Sequence, residues 1–288
     1  MKDQSRRFIF DAADIRGESV CLESSYQEIL SIHQYAPGVG RLLGEFLAAA
    51  VLLSNNLKFE GKLVLQARSA GQVPLLMAEC DHHLSVRGIA RGAEEATAAN
   101  NAQLLTGGQL VITIDPDKGQ RYQGIVPLEE DSIERSLDSY FEQSEQLGTQ
   151  LWLAANGERA CGLLLQQLPA QLIASDTERE EHWQHARILA ASATQDELLS
   201  LPAENLLRRL YAQEPLRLFD PSPISFRCSC SRERTFNALG TLNSDEIADI
   251  LEEMGHITMD CEFCHSRYRF GPQDLSELLP QGQSKTLH

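Results

Sequence analysis

The chain has 288 residues and a formal charge of −16, from 25 Lys+Arg against 41 Asp+Glu. That acidity argues against a general affinity for nucleic acid or anionic lipid, while 42% hydrophobic and 23% charged residues are the balance of a globular protein. The longest apolar run, Phe46 to Leu53, falls short of the roughly 20 residues of a membrane span, and the basic residues at the N-terminus have no apolar segment behind them, so neither a membrane helix nor a secretory signal is expected.

Along the chain, residues 41–57 carry Leu42, Leu43, Phe46, Leu47, Ala50, Val51 and Leu53 at helical spacing with a wide apolar face. The period then shortens. Lys62–Arg68, Val73–Cys80 and Leu84–Ala90 read as strands joined by hairpins, separated by residues 69–72 and by Asp81-His82-His83. Gln109–Asp115 and Arg121–Val126 form a further pair around Pro116-Asp117-Lys118-Gly119. Asp131 and Glu134 resemble a capping box opening a helix with Ile133, Leu137, Tyr140 and Phe141 on one face. Leu151–Ala155 and Arg159–Leu165 flank Asn156-Gly157, a strong hairpin signal. Strands in groups with helices between the groups predict an α+β domain over residues 1–176 rather than a parallel α/β sheet.

Residues 177–227 differ. Thr177 and Glu180 are placed to cap a charged, Ala-rich helix running to about Ala193, with Trp183 as its one large aromatic. A second helix is expected over Ala203–Tyr211 through Leu206, Leu207 and Leu210, and Pro202, Pro215, Pro221 and Pro223 interrupt the region. It reads either as an ordinary connection or as a marginal helical segment whose order depends on what it packs against. Trp183 and the leucines read as ordinary packing in preference to a binding site.

Seven cysteines divide unevenly. Cys21, Cys80 and Cys161 are scattered, and Cys228, Cys230, Cys261 and Cys264 fall close together. An odd count with one local cluster fits a reducing cytosol rather than a disulfide scaffold. The cluster reads Cys-x-Cys and, thirty residues on, Cys-x-x-Cys. In an extended segment residues two apart face the same side, and Cys-x-x-Cys is a tight-turn ligand spacing, so four thiolates can close a tetrahedral zinc site. His256 and His265 are less favoured as ligands, because the cysteines already complete the shell. Asn243 and Glu246 are placed to cap a helix bearing Ile247, Ile250 and Leu251, too little apolar surface for an independent core. A unit of this size is expected to need its metal to fold. A catalytic zinc is disfavoured, since it keeps an open position. Inert structural zinc and a redox switch both remain open: each pair is near enough in sequence to form its own disulfide, and oxidation would remove the ligands.

The residues resemble those of the 33 kDa chaperonin family, the redox-regulated heat-shock holdases of bacteria. The resemblance covers nearly the whole chain: Leu42-Leu43-Gly44-Glu45, Leu57-Lys58-Phe59-Glu60-Gly61, Tyr122-Gln123-Gly124-Ile125-Val126, Ser144-Glu145-Gln146-Leu147, Phe226-x-Cys228-x-Cys230-Ser231 with Arg234, and Cys261-Glu262-Phe263-Cys264 with Tyr268. It implies an N-terminal α+β chaperone domain (1–176), a metastable helical linker (177–227) and a small C-terminal zinc-binding redox domain (228–288). It implies an inactive reduced state with one zinc per chain, held by Cys228, Cys230, Cys261 and Cys264. Oxidation would then form Cys228–Cys230 and Cys261–Cys264 disulfides, release zinc, unfold the small domain and the linker, and expose apolar surface that holds unfolding clients without ATP. The implied protein is cytoplasmic, monomeric when reduced and dimeric when oxidised, and passes clients to ATP-dependent foldases.

Two other functions are weighed. A zinc-ribbon module for nucleic acid is disfavoured by 5 basic against 10 acidic residues over 228–288. An enzyme built on Cys80, His82 and His83 is disfavoured because a buried cysteine before a hairpin turn explains those residues; Cys21 and Cys161 are likewise expected to be buried. Gly38-Val39-Gly40 lacks the third glycine and the preceding strand of a phosphate loop. No catalytic residue and no membrane or specific nucleic-acid partner is expected.

Overall fold

The computed structural model describes residues 3–55, 60–128, 132–144 and 147–279. They form two compact units, Met1–Arg227 and Cys228–His288, and the fold is α+β. The first unit runs β1 (Gln4–Phe10), β2 (Ile15–Leu22), α1 (Ser24–Ile32), α2 (Pro37–Ser54), β3 (Gly61–Arg68), β4 (Leu75–Asp81), β5 (Ser85–Arg91), α3 (Asn101–Leu104), β6 (Gln109–Pro116), β7 (Tyr122–Pro127) and α4 (Ile133–Ser144). It continues through β8 (Thr149–Ala155), β9 (Ala160–Gln167), α5 (Asp176–Ala191), α6 (Gln195–Ser200), α7 (Ala203–Leu210), β10 (Leu216–Leu218), β11 (Ser222–Pro223) and β12 (Ser225–Phe226). The strands make two sheets, ordered β10–β1–β2–β9–β8 with β11 also on β1, and β12–β5–β4–β3–β6–β7. The expected hairpins at β3–β4–β5, β6–β7 and β8–β9 all form, and β6 closes on the free side of β3.

Helix α2 lies against strands of both sheets. It is apolar nearly all round, as a helix between two layers must be, and Leu42, Leu43, Phe46, Leu47 and Leu52 are fully buried. Among the described residues it is the one helix long and apolar enough to cross a membrane, and 83% of it is buried inside this fold. Gly44 is required by close packing: a Cβ there would stand 2.8 Å from both Ala155 Cβ and Tyr26 Cζ. The helix begins at Pro37, earlier than the apolar spacing implied, with Gly38-Val39-Gly40 as its buried first turn. Its expected end at Leu57 lies outside the described residues, as do Asp131 of the expected capping box and Leu57, Lys58, Phe59, Glu145 and Gln146 of the family motifs. Ser132 accepts the Arg135 N–H at the start of α4, and Ile133, Leu137, Tyr140 and Phe141 are buried as expected.

Strand β9 explains how the rest of the unit is layered. Its burial is almost continuous, the signature of a strand covered on both faces. Ala160 and Leu164 join the α2 core, whereas Cys161, Leu163 and Leu165 join a second core with Phe8, Phe10, Trp183, Leu206, Leu207 and Tyr211. The helices of residues 176–210 therefore form a layer on the outer face of the first sheet. Asp14 anchors the approach to that layer. Its buried carboxylate accepts the N–H groups of Gln171, Leu172 and Ile173. Burial works against its charge, but those bonds and Arg179 hold its pKa below the usual range. Ser175, not Thr177, caps α5, its hydroxyl accepting the Glu178 N–H. Helix α6, with a Thr194–Glu197 capping box, is an element that the apolar spacing did not reveal. Trp183 packs where Gly148 leaves room: a Cβ on Gly148 would meet the indole at 2.9 Å. The chain then zips along the first unit, Phe8 opposite Leu218 and Phe226 opposite Val86.

The second unit contains α8 (Arg232–Leu239), α9 (Ser244–Met254) and the hairpin β13 (Ile257–Asp260) and β14 (Arg267–Phe270). Ser231 caps α8, and the expected Asn243–Glu246 capping box opens α9. Ile247 and Leu251 are buried and Ile250 is exposed. The core of this unit is Leu239, Ile247, Leu251, Ile257, Phe270 and Leu275. That is a small core for a chain segment of this length.

Candidate metal centre

Two chain segments supply the four thiols. Cys228 and Cys230 lie on the segment before α8, and Arg234 steadies it by donating to the carbonyl of Ser229 (2.8 Å) and to its hydroxyl (2.9 Å). Cys261 and Cys264 sit on the turn joining β13 to β14. The turn closes with the Cys261 N–H on the Ser266 carbonyl and the His265 N–H on the Cys261 carbonyl, at 2.9 and 2.8 Å. His265 takes a left-handed conformation there, at φ 55°. Asp260 and Arg267 pair across the base of the hairpin with two bonds of 2.7 and 2.9 Å.

The four Sγ atoms all lie within 4.8 Å of one another, and each cysteine is half-buried. Cys228 and Cys261 stand 3.7 Å apart, Cys230 and Cys264 3.4 Å. Four sulfurs held about 2.3 Å from one zinc ion at tetrahedral corners would be separated by about 3.8 Å. The quartet therefore has the spacing of a four-thiolate site, and thiolate donors suit zinc among the divalent ions. Neither His256 nor His265 belongs to the group; His256 Nδ1 faces Arg269 Nη2 at 3.1 Å, and His265 is exposed.

Hydroxyl groups flank two of the four sulfurs. The Tyr268 hydroxyl donates to Cys230 Sγ at 3.1 Å, and Cys264 Sγ lies 3.2 Å from Ser266 Oγ. At Cys264 burial opposes the charge, but Ser266, through hydroxyl and backbone, and the neighbouring thiols outweigh it and bring the pKa to about 7. Burial pushes Cys261 the other way, and the bond to Cys230 raises Tyr268 to about 12. Ser266 is a neighbour that motif spacing did not single out. Tyr268 was visible only as part of a family motif, with no contact assigned.

The other candidates lie elsewhere. Cys80 is buried on β4 and burial raises its thiol pKa. The rings of His82 and His83 meet at 3.9 Å, tilted by 44°, in the turn that follows, and the Gly61 N–H donates to His82 Nδ1. Cys21 and Cys161 are also buried, as expected, but face each other directly across β2 and β9.

Two sheets, antiparallel but for the short parallel pairing of β12 with β5, about a core helix, followed by a small unit with four clustered thiols close enough to hold a metal ion, define a class of two-unit α+β proteins. The family described as Hsp33 protein matches residues 3–271 of this chain. A 33 kDa chaperonin of Pseudomonas aeruginosa is 52% identical, the match covering 99% of both chains. One from Azotobacter vinelandii is 50% identical, over 98% of this chain and 96% of its own. The crystal structure of the 33 kDa chaperonin of Thermotoga maritima shares the fold, with a TM-score of 0.81 at 21% identity, over 96% of this chain and 97% of that one. The chain belongs to the Hsp33 family.

Proposed function

We propose that the protein is a redox-regulated, ATP-independent chaperone that holds unfolding proteins under oxidative stress. Family membership supports the chaperone role. The observation that carries the regulation is the quartet itself: four thiols from two segments, within 4.8 Å, in a unit whose core has, among the described residues, six buried apolar side chains. A zinc ion bound there would cross-link the two segments and keep the thiolates deprotonated. Structural zinc in small domains supplies about 10–16 kcal/mol of folding free energy, so this unit is folded only while its ligands are available.

The thiols are then the switch. A two-electron oxidant such as hypochlorous acid or a peroxide converts each pair of cysteines to a disulfide. One S–S bond forms, two S–H or S–metal bonds are lost, and the oxidant is reduced to chloride or water. Two such reactions consume all four ligands. The pairing Cys228–Cys230 and Cys261–Cys264 follows the family resemblance. Cys228–Cys261 and Cys230–Cys264 are also near neighbours in the quartet, so peptide mapping decides between them.

Unfolding of residues 228–288 frees the end of the 177–227 layer, and that layer is the apolar reserve. Lifting it would uncover Trp183, Leu198, Leu206, Leu207 and Tyr211 together with Phe8, Phe10, Leu163 and Leu165 on the sheet. A surface of that size binds unfolded chains or a second copy of the protein, which accounts for a monomer when reduced and a dimer when oxidised. The charge of −16 keeps such a state in solution. Reduction of the disulfides lets clients pass to ATP-dependent foldases. A thiolate switch of this kind needs a reducing compartment, the cytoplasm.

The test is metal analysis with thiol mapping. One zinc per reduced chain, lost in step with the formation of two disulfides under hypochlorite, is expected. Zinc retained after all four thiols are oxidised would leave a chaperone without this switch.

A further inference from the structure

The cysteines outside the quartet are not all alike. Cys80 has no thiol neighbour among the described residues, but Cys21 on β2 and Cys161 on β9 occupy one register position of the antiparallel ladder. Their Sγ atoms stand 2.8 Å apart, with Cys161 donating to Cys21. Directly opposed residues in an antiparallel pair have Cα atoms about 4.5 or 5.5 Å apart, and both spacings fall in the range of about 4.4–6.8 Å that a disulfide bridges. Both side chains point to the outer face of the first sheet, in the core beneath the 176–210 layer. A narrow crevice lined by Gln4, Arg6, Ser19, Leu198 and Leu201 reaches Cys21.

The surroundings set the two thiols apart. Arg159 sits on the neighbouring stretch of β8–β9, donating to Glu23 at 3.2 Å and to the Leu199 carbonyl of α6 at 3.2 Å. The proton from Cys161 and the Arg159 charge lower the Cys21 pKa against the effect of burial, while the bond to Cys21 and burial raise Cys161. Cys21 is thus the nucleophile of the pair and Cys161 the resolving thiol.

We propose that Cys21 and Cys161 are a second oxidisable dithiol, lying under α6 and α7 and forming a cross-strand disulfide when that layer opens. With hypochlorous acid as oxidant, the Cys21 thiolate attacks chlorine and hydroxide leaves. Cys161 sulfur then attacks Cys21 sulfur: the S–S bond forms, the S–Cl bond breaks, and chloride leaves. The two thiol protons and the hydroxide leave as water and one proton. The bond pins β2 to β9 at the floor of the surface that the proposed activation uncovers. This gating rests on the proposed function; the chemistry of the pair does not.

The experiment is peptide mapping of the full chain after hypochlorite treatment, denaturation and alkylation without reduction. A cross-linked peptide joining Cys21 to Cys161 is expected, with Cys80 recovered alkylated. It should be lost in Cys21→Ala and in Cys161→Ala. Recovery of both as alkylated thiols, or as separate sulfinic acids, while the quartet is oxidised would overturn the pair and leave the proposed function standing. Formation of the cross-link with zinc and the quartet thiols intact would keep the pair and remove the gating, whereas zinc retained after all four quartet thiols are oxidised would keep the pair and sink the proposed function. Leu206→Ala, which loosens the covering layer, should speed the cross-link by roughly tenfold or more; an unchanged rate would remove the gating.

Discussion

Tyr268 reaches back 38 positions to donate its hydroxyl proton to Cys230 Sγ, at 3.1 Å. Through this contact β14 supports a candidate ligand on the opposite segment. Donors to ligand atoms orient them and spread their charge, and removing one typically weakens metal binding by about 10–100-fold. Tyr268→Phe should therefore bind zinc about tenfold more weakly, measured by competition with a chromogenic chelator. Equal affinity would mean that the bond does not support the ligand.

Removing the metal from reduced protein should unfold the second unit and leave the two-sheet body of the first unit folded. Its core of Leu239, Ile247, Leu251, Ile257, Phe270 and Leu275 is small, whereas the first unit has two sheets about the buried α2. Chelation under reducing conditions should abolish a distinct thermal transition and render residues 228–279 protease-sensitive. The transition of the first unit should remain.

The layer of residues 176–210 should be a tunable latch. Trp183 is 4% exposed, and a buried Trp→Ala change costs about 3–5 kcal/mol. Trp183→Ala should weaken the layer and let the reduced, metal-loaded protein suppress client aggregation without oxidant, read by light scattering. A variant as silent as the reduced parent would show that this surface is not what clients meet.

Stability of the first unit should fall between pH 5 and pH 8. Burial on β2 raises Glu18 from 4.5 to about 7, even though it accepts bonds from Ser5 and Asn55. The folded form holds its proton more tightly than the unfolded chain, so this stabilising effect is complete below about 4.5 and is lost as pH rises through about 7. The difference corresponds to about 3 kcal/mol at most. Glu45 and Asp138, each raised to about 7 chiefly by burial, act in the same direction. Glu18→Gln should flatten part of the pH dependence of the melting temperature and raise that temperature at pH 8.

What could be read from the sequence follows what is local. The Asn156-Gly157 hairpin forms because Gly157 takes φ 86°, a demand written into the turn. The Asn243–Glu246 box and the apolar face of α4 are equally local. The four clustered cysteines were legible because thiol spacing carries chemistry directly. Strands β1 and β2 were not: Arg6 and Arg7 interrupt the apolar pattern of β1, and its pairing with β10 lies some two hundred residues away. Strands of two or three residues such as β10, β11 and β12 are too short to show a period. The Cys21–Cys161 pair escaped for the same reason, since register over 140 residues is a property of the sheet and not of either segment.

The central claim is that oxidation of the quartet turns holding activity on. The direct measurement pairs reduced, metal-loaded protein with hypochlorite-oxidised protein in one assay of light scattering by an unfolding client, with metal content and disulfides mapped in the same samples. The oxidised, metal-free form should suppress aggregation at near-stoichiometric ratios and the reduced form should not. Equal suppression by both forms, or suppression by oxidised protein that still holds its metal, would contradict the account.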